Sequence, residues 1–217
     1  MPAPRKILII CHANTSRSVI AEALLKQMLR ARGLDDRVSV QSAGIAPFAR
    51  DGALVSLDAR LVLRDEGIDL PPDSVATDLK TNRHLIAEAD LVLAMTDEQI
   101  RMLHAAFPEA AGKEIYTLKA FAGVAGDIED PAGRDEQFFA ACRDEIKACL
   151  LRAVERLAGG RVQGSEGPRV QARRTDVLLG PLDPRTLGPS VVDRSSVVRR
   201  LTTAASSPVS VRAARPG

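Results

Sequence analysis

Four short apolar runs, each followed by a segment with helical spacing, organise the first 160 residues of this chain. Lys6-Ile7-Leu8-Ile9-Ile10 is β-branched and apolar without alternation, the pattern of a strand covered on both faces. Val38–Ser42 alternates like a second strand. Asp90–Met95 reads as a third and Glu114–Leu118 as a fourth. The spacing predicts a helix from Ser18 to a stop at Gly33, with Ala21, Leu24, Leu25, Met28 and Leu29 on one face. Further helices are expected over Leu54–Glu66, over Thr81–Ala89, after Thr96 (three residues before Gln99, as in a capping box) up to Pro108, and from Arg134 to Leu157. Strand and helix in alternation imply right-handed crossovers and an α/β three-layer sandwich on a four-stranded parallel sheet. Such sheets bind ligands at the carboxyl ends of their strands, which directs attention to the loops after Ile10, Ser42, Met95 and Leu118.

Residues 161–217 differ in kind. They hold ten arginines, no lysine and four acids, a net of +6, whereas residues 1–160 hold 20 basic and 24 acidic residues. Six of the 13 prolines lie there and none of the Phe or Tyr residues, so the segment has too little apolar area to offset the entropy of ordering it. The expectation is a domain over 1–160 and a basic, Pro/Ser/Gly-rich, disordered tail over 161–217. Its arginines are scattered rather than blocked, and the chain has no Trp and one tyrosine, Tyr116, so nucleic-acid binding is not expected. No run approaches the roughly 18 apolar residues of a membrane span, and four consecutive apolar residues near Met1 are too few for a signal-peptide core of about 7–15. A cytoplasmic location is therefore expected. Three cysteines do not make a disulfide framework.

The loop after the first strand, Cys11-His12-Ala13-Asn14-Thr15-Ser16-Arg17-Ser18, carries the chemistry. A loop curling at a helix N-terminus turns several backbone N–H groups inward as an anion cradle. The same field favours the thiolate form of a cysteine at its start. Arg17 presents a planar fork for two phosphate oxygens. A thiolate beneath a bound phosphate is set up for phosphoryl transfer to sulfur. The leaving group then needs a proton. Asp130, fixed before Pro131 in the loop after the fourth strand, is placed to give it.

With these residues in view, the chain resembles the low-molecular-weight protein tyrosine phosphatases. The resemblance rests on Cys11-x-x-Asn14-x-x-Arg17-Ser18, on Ser42-Ala43-Gly44, on Ala89–Met95 and on Asp130-Pro131, and it covers about residues 5–158. It implies that Cys11 attacks phosphorus to form a phosphocysteine. It implies that Arg17 and the loop from His12 through Ala13, Asn14, Thr15 and Ser16 to Ser18 bind the phosphoryl group. Asp130 would protonate the leaving group and then activate water. Ser18 would hydrogen-bond the Cys11 sulfur, and Asn14, bonded by Ser42, would hold the loop's strained backbone. No metal or organic cofactor is implied; the implied partner is a phosphorylated protein, and the oligomeric state stays open. Protein-arginine phosphatases and arsenate reductases share this architecture, so fold alone does not set the substrate. Phosphotyrosine hydrolysis is the main reading, with phosphoarginine hydrolysis, arsenate reduction and a catalytically silent phosphate-binding module as alternatives. No resolving cysteine stands near Arg83, as a reductase would need.

Several positions depart from the family pattern. Ala13 replaces Gly, with strain of about 1 kcal/mol if that position needs positive φ. Val19 replaces Pro, and Ser16 replaces a cysteine that would otherwise shield Cys11 from oxidation. Pro71-Pro72-Asp73-Ser74 stands where a histidine often supports the Asn, and Ala132 and Gly133 stand where an aromatic pair often follows Asp-Pro. Thr15, where tyrosine phosphatases often carry Ile or Leu and arginine phosphatases Thr, either orients a ligand or fills the loop wall. Cys142 and Cys149, in phase with Phe138, Ile146 and Leu150, would be about 10 Å apart on a helix and read as core cysteines. His84 and His104 lack ligand spacing. His12 is a rim residue able to tune the loop's charge.

Overall fold

The computed structural model describes residues 5–158. The tail expected over 161–217 lies outside the described residues. Strands β1 (Arg5–Cys11), β2 (Val38–Gly44), β3 (Leu91–Ala94) and β4 (Glu114–Thr117) form one sheet in the order β2-β1-β3-β4, every pair parallel. The register sets Ile10 beside Ala43 and Ala94, and Ala94 beside Thr117. The carboxyl ends of all four strands therefore open on one edge.

The continuous apolar sequence of β1 follows from its central place. Ile7, Ile9 and Cys11 face one layer, with α1 (Arg17–Arg30), α2 (Leu57–Arg64), α5 (Leu118–Phe121) and α6 (Glu136–Leu157). Leu8 and Ile10 face the other, with α3 (His84–Glu88), α4 (Asp97–Ala106) and Phe107. Each fully buried Leu or Ile contributes about 1.5–3 kcal/mol through removal from water. Leu24, Leu25 and Leu29 of α1 are all enclosed, so this helix, which carries the loop, is anchored by its whole inner face. None of the helices formed by the described residues is long and apolar enough to cross a membrane.

Local chemistry sets the element ends. Gly33, at φ +61°, follows α1 as expected. The helix expected over Leu54–Glu66 starts later, at Leu57, because Leu54 pairs with Val75 in an isolated antiparallel bridge and Ser56 caps the helix by accepting from the Ala59 N–H at 3.2 Å. The helix expected over Thr81–Ala89 shortens to His84–Glu88 because Thr81 and Asn82 turn their side chains to Asp51 instead. Leu118 is not strand. Thr117 ends β4 and caps α5, accepting from the Ala120 N–H at 3.1 Å. Thr96 caps α4 through the Gln99 N–H as expected, while the Gln99 amide oxygen accepts from the Met95 N–H at 2.9 Å. In α6 the core position is Phe139; Phe138 lies beneath the Arg134 guanidinium.

Candidate active site

The loop between β1 and α1 turns on Asn14, at φ +60° the one non-glycine of the described residues in the left-handed region. Ala13 does not adopt it, so the strain conditionally expected at Ala13 does not arise. An Asn tolerates this conformation because its side chain bonds locally. Here it makes a full set of bonds. Asn14 Nδ2 donates to Ser18 Oγ at 2.9 Å and to Ser42 Oγ at 2.7 Å, and Oδ1 accepts from the Thr77 N–H at 2.8 Å. A buried amide satisfied on this scale is a rigid fastening.

These bonds have a direction. An amide nitrogen only donates, so Ser18 Oγ accepts from Asn14 and turns its own proton to Cys11 Sγ, 2.9 Å away. The Asn14 N–H also donates to Sγ, at 3.2 Å. By the same reasoning Ser42 accepts from Asn14 and donates to Glu22 Oε2 at 2.5 Å, and Glu22 is paired with Lys26 at 2.5 Å. A chain of hydrogen bonds thus runs from Lys26 to the Cys11 sulfur. Glu22 escaped the sequence reading, although it lies one turn beyond Ser18 on the same helix. The support doubted for want of a histidine near Pro71 comes from the Thr77 backbone and from this Glu22–Lys26 pair.

Gly44, read from sequence only as part of the Ser42-Ala43-Gly44 match, has a steric role that the sequence does not reveal. A Cβ there would lie 2.7 Å from the Ala13 carbonyl carbon and 2.9 Å from its oxygen. The strand end passes so close beneath the loop that only a glycine fits. Its neighbours tie the loop down: Ile45 N–H donates to Cys11 O at 3.0 Å and Ala46 N–H to His12 O at 2.9 Å.

At the N-terminus of α1, Ser16 holds the cap position without capping. Its hydroxyl meets Ser56 Oγ at 3.1 Å, and no acidic residue occupies the first turn. Arg17 is 2% exposed, with Nη1 donating to Ile128 O at 3.0 Å and Nη2 to Asp130 Oδ2. The loop carrying Asp130 is pinned to the sheet, since Ile128 N–H donates to Met95 O at 2.9 Å and the Ala132 N–H donates to Asp130 Oδ1 at 3.2 Å. Asp130 stays 42% exposed, open to the mouth. The carboxyl, more than a hundred residues away in sequence, therefore joins the guanidinium fork of the Cys11–Ser18 loop at one end of the sheet. A cysteine sulfur, a buried guanidinium and a partly exposed carboxyl at one sheet edge are groups that in-line displacement on a bound oxyanion would use.

His12 is half-buried, with Nδ1 at 3.3 Å from Arg17 Nη2 and Nε2 at 3.9 Å from Glu98 Oε2, and its ring lies 6.5 Å from that of Phe48. Thr15 is half-buried, its carbonyl accepting from the Ser56 N–H at 2.9 Å. Cys142 and Cys149 are buried and unbridged, as read from sequence, and burial pushes the Cys142 thiol up to about 12. His84 and His104 are exposed. Among the described residues no group of three or more His, Cys, Asp or Glu side chains gathers as for a metal ion.

Known proteins share this arrangement. The family model for low molecular weight phosphotyrosine protein phosphatases matches residues 6–161. The chain is 40% identical over 157 residues to a protein-arginine-phosphatase of Geobacillus stearothermophilus, covering 71% of this chain and 97% of the relative. It is 32% identical over 146 residues to a low molecular weight protein-tyrosine-phosphatase of Acinetobacter johnsonii, covering 67% and 93%. Among solved structures, a mutant of the arginine phosphatase YwlE with a phosphorylated active-site serine superposes with a TM-score of 0.65 at 32% identity, covering 72% of this chain and 97% of that one. The match spans every strand and the whole of the loop from Cys11 to Ser18, and so this chain belongs to the low molecular weight phosphotyrosine protein phosphatase family and is a phosphatase.

Proposed function

We propose that the protein dephosphorylates phosphoproteins, phosphotyrosine first among them, through a phosphocysteine at Cys11. The observation that carries this reading is the convergence of Cys11 Sγ, Arg17 and Asp130 at one strand end, with Arg17 Nη2 bonded to the Asp130 carboxylate. In the reaction Cys11 Sγ attacks phosphorus and the bond to the leaving group breaks. Arg17 leaves Asp130 for the phosphoryl oxygens, and the loop amides hold the rest of the charge. Asp130 gives its proton to the leaving oxygen and takes one from the water that then hydrolyses the thiophosphoryl bond. Ser18, donating to Sγ, eases the departure of sulfur. Asn14 and Ser42 hold the cradle's shape. The phosphorylated active-site serine of the YwlE structure supports a covalent phosphoenzyme. Phe48, 65% exposed beside His12, supplies an aromatic surface for a phosphotyrosyl ring.

A second reading, phosphoarginine, is favoured by Thr15 at the cradle wall, by Ala132 and Gly133 in place of aromatic residues, and by the names of the relatives. The test of the first proposal is turnover of p-nitrophenyl phosphate by wild type and Cys11→Ser. A wild type as slow as the variant overturns it. The two readings are separated by kcat/KM on phosphotyrosyl and phosphoarginyl peptides, with the larger value naming the substrate.

A further inference from the structure

The catalytic reading leaves the His12 side chain without a task, yet it touches the arginine fork. Arg17 Nη2 carries two protons. One points to Asp130 Oδ2; the other meets His12 Nδ1 at 3.3 Å. An arginine nitrogen only donates, so Nδ1 is the acceptor, and the ring proton of His12 sits on Nε2, facing Glu98 Oε2 at 3.9 Å. The tilted ring of Phe48 stands on the other side. Nη1 is held independently by Ile128 O at 3.0 Å.

We propose that His12 is a positioning residue for Arg17: its neutral Nδ1 holds one Nη2 proton as Ile128 O holds Nη1, so the remaining N–H groups face the phosphoryl oxygens when substrate displaces Asp130. The proposal rests on the catalytic reading of Arg17. The groups that face the His12 ring are Arg17 from α1, Asp130 from the acid loop and Glu98 from α4, with Cys11 its chain neighbour. A second proton on Nδ1 turns the acceptor into a donor and sets a cation against Arg17.

The test uses His12→Ala and His12→Asn in the full chain. Asparagine restores an acceptor near the Nδ1 position without a titratable group. His12→Ala is expected to lower kcat/KM about tenfold or more, the scale of a hydrogen bond to a charged donor, and to weaken inorganic phosphate binding in parallel. His12→Asn is expected to recover most of both. A His12→Ala enzyme equal to wild type overturns the proposal, as does a His12→Asn enzyme as poor as His12→Ala. If wild type itself matches Cys11→Ser, the catalytic reading has failed. Calorimetric phosphate binding by the three forms then decides the role of His12, with equal affinities overturning it.

Discussion

Replacing Gly44 by alanine tests how tightly strand and cradle are fitted. The added Cβ would stand 2.7 Å from the Ala13 carbonyl carbon, 2.9 Å from its oxygen and 2.9 Å from Ala49 Cβ. Carbon atoms rest at about 3.5–4.0 Å, so strand and loop must separate by about 0.8 Å. The obstacle is backbone, which has no rotamer to yield. Relief must come from moving the loop, because Gly44 itself is fixed by its N–H to Thr77 O at 2.8 Å and by the Leu79 N–H to its carbonyl at 2.9 Å. Overpacking of this kind costs about 1–3 kcal/mol of stability. Displacing reacting groups by about 1 Å costs on the order of a hundredfold in rate. Gly44→Ala is therefore expected to lower the urea midpoint and to lower kcat/KM on p-nitrophenyl phosphate by about ten- to a hundredfold. Gly33→Ala is the control. Its φ of +61° strains an alanine by about 1–2 kcal/mol, but no atom lies within 4 Å of the new Cβ and the turn follows the far end of α1. It should lose stability and keep its rate. A folded Gly44→Ala enzyme with the wild-type kcat/KM would refute the close approach.

Other consequences are open to similar measurement. Asp130→Ala should reduce kcat/KM by about 10²–10⁴, the usual scale of general acid catalysis, while binding inorganic phosphate at least as tightly because Arg17 loses its internal partner; unchanged turnover would mean another group supplies the proton. Asn14→Ala strips the partners of Ser18, Ser42 and the Thr77 N–H and puts alanine at positive φ. A buried group left unpaired costs about 1–3 kcal/mol, so a clear fall in thermal midpoint with loss of rate is expected, and an unchanged midpoint would contradict it. Thr15→Ile should raise the ratio of phosphotyrosyl to phosphoarginyl turnover, and an unmoved ratio would show that Thr15 only fills the wall. Burial pushes the Cys142 thiol up to about 12, so it stays protonated at pH 8. Iodoacetamide should label Cys11 and leave Cys142, as mapped by peptide mass spectrometry, unless the native fold opens far more than this packing implies.

Much of this architecture could be read from residues alone, and the exceptions share a cause. The buried run of β1, the stop at Gly33 and the Thr96 cap are local signals, and each appears as expected. Cys11 and Arg17, close in sequence, lie on one loop at the end of β1. The Leu54 and Leu118 boundaries were misplaced because a bridge to Val75 and a threonine cap overrode apolar spacing. Phe138 and Phe139 are adjacent, and periodicity did not choose between them; Phe139 packs in the core while Arg134 covers Phe138. In the site, Glu22, Thr77, Glu98 and the steric role of Gly44 are not legible in the sequence. Each acts through a partner on another element, and no short motif encodes such a pairing. The expectation that Asp130 reaches the cradle was legible only through topology, since the loop after β4 had to return to the same sheet edge.

That the Ser16 hydroxyl turns to Ser56 and not to its own helix has a thermodynamic consequence. Side-chain caps are worth about 1 kcal/mol to a helix, and α1 forgoes one while its first turn carries no acid. An oxyanion bound at this N-terminus would supply the negative charge that neither cap nor first turn provides. By mass action, a ligand at a hundredfold its Kd adds about 2.7 kcal/mol to folding. Buffer composition then becomes a folding variable for this protein, and its melting temperature should be higher in phosphate than in chloride of equal ionic strength.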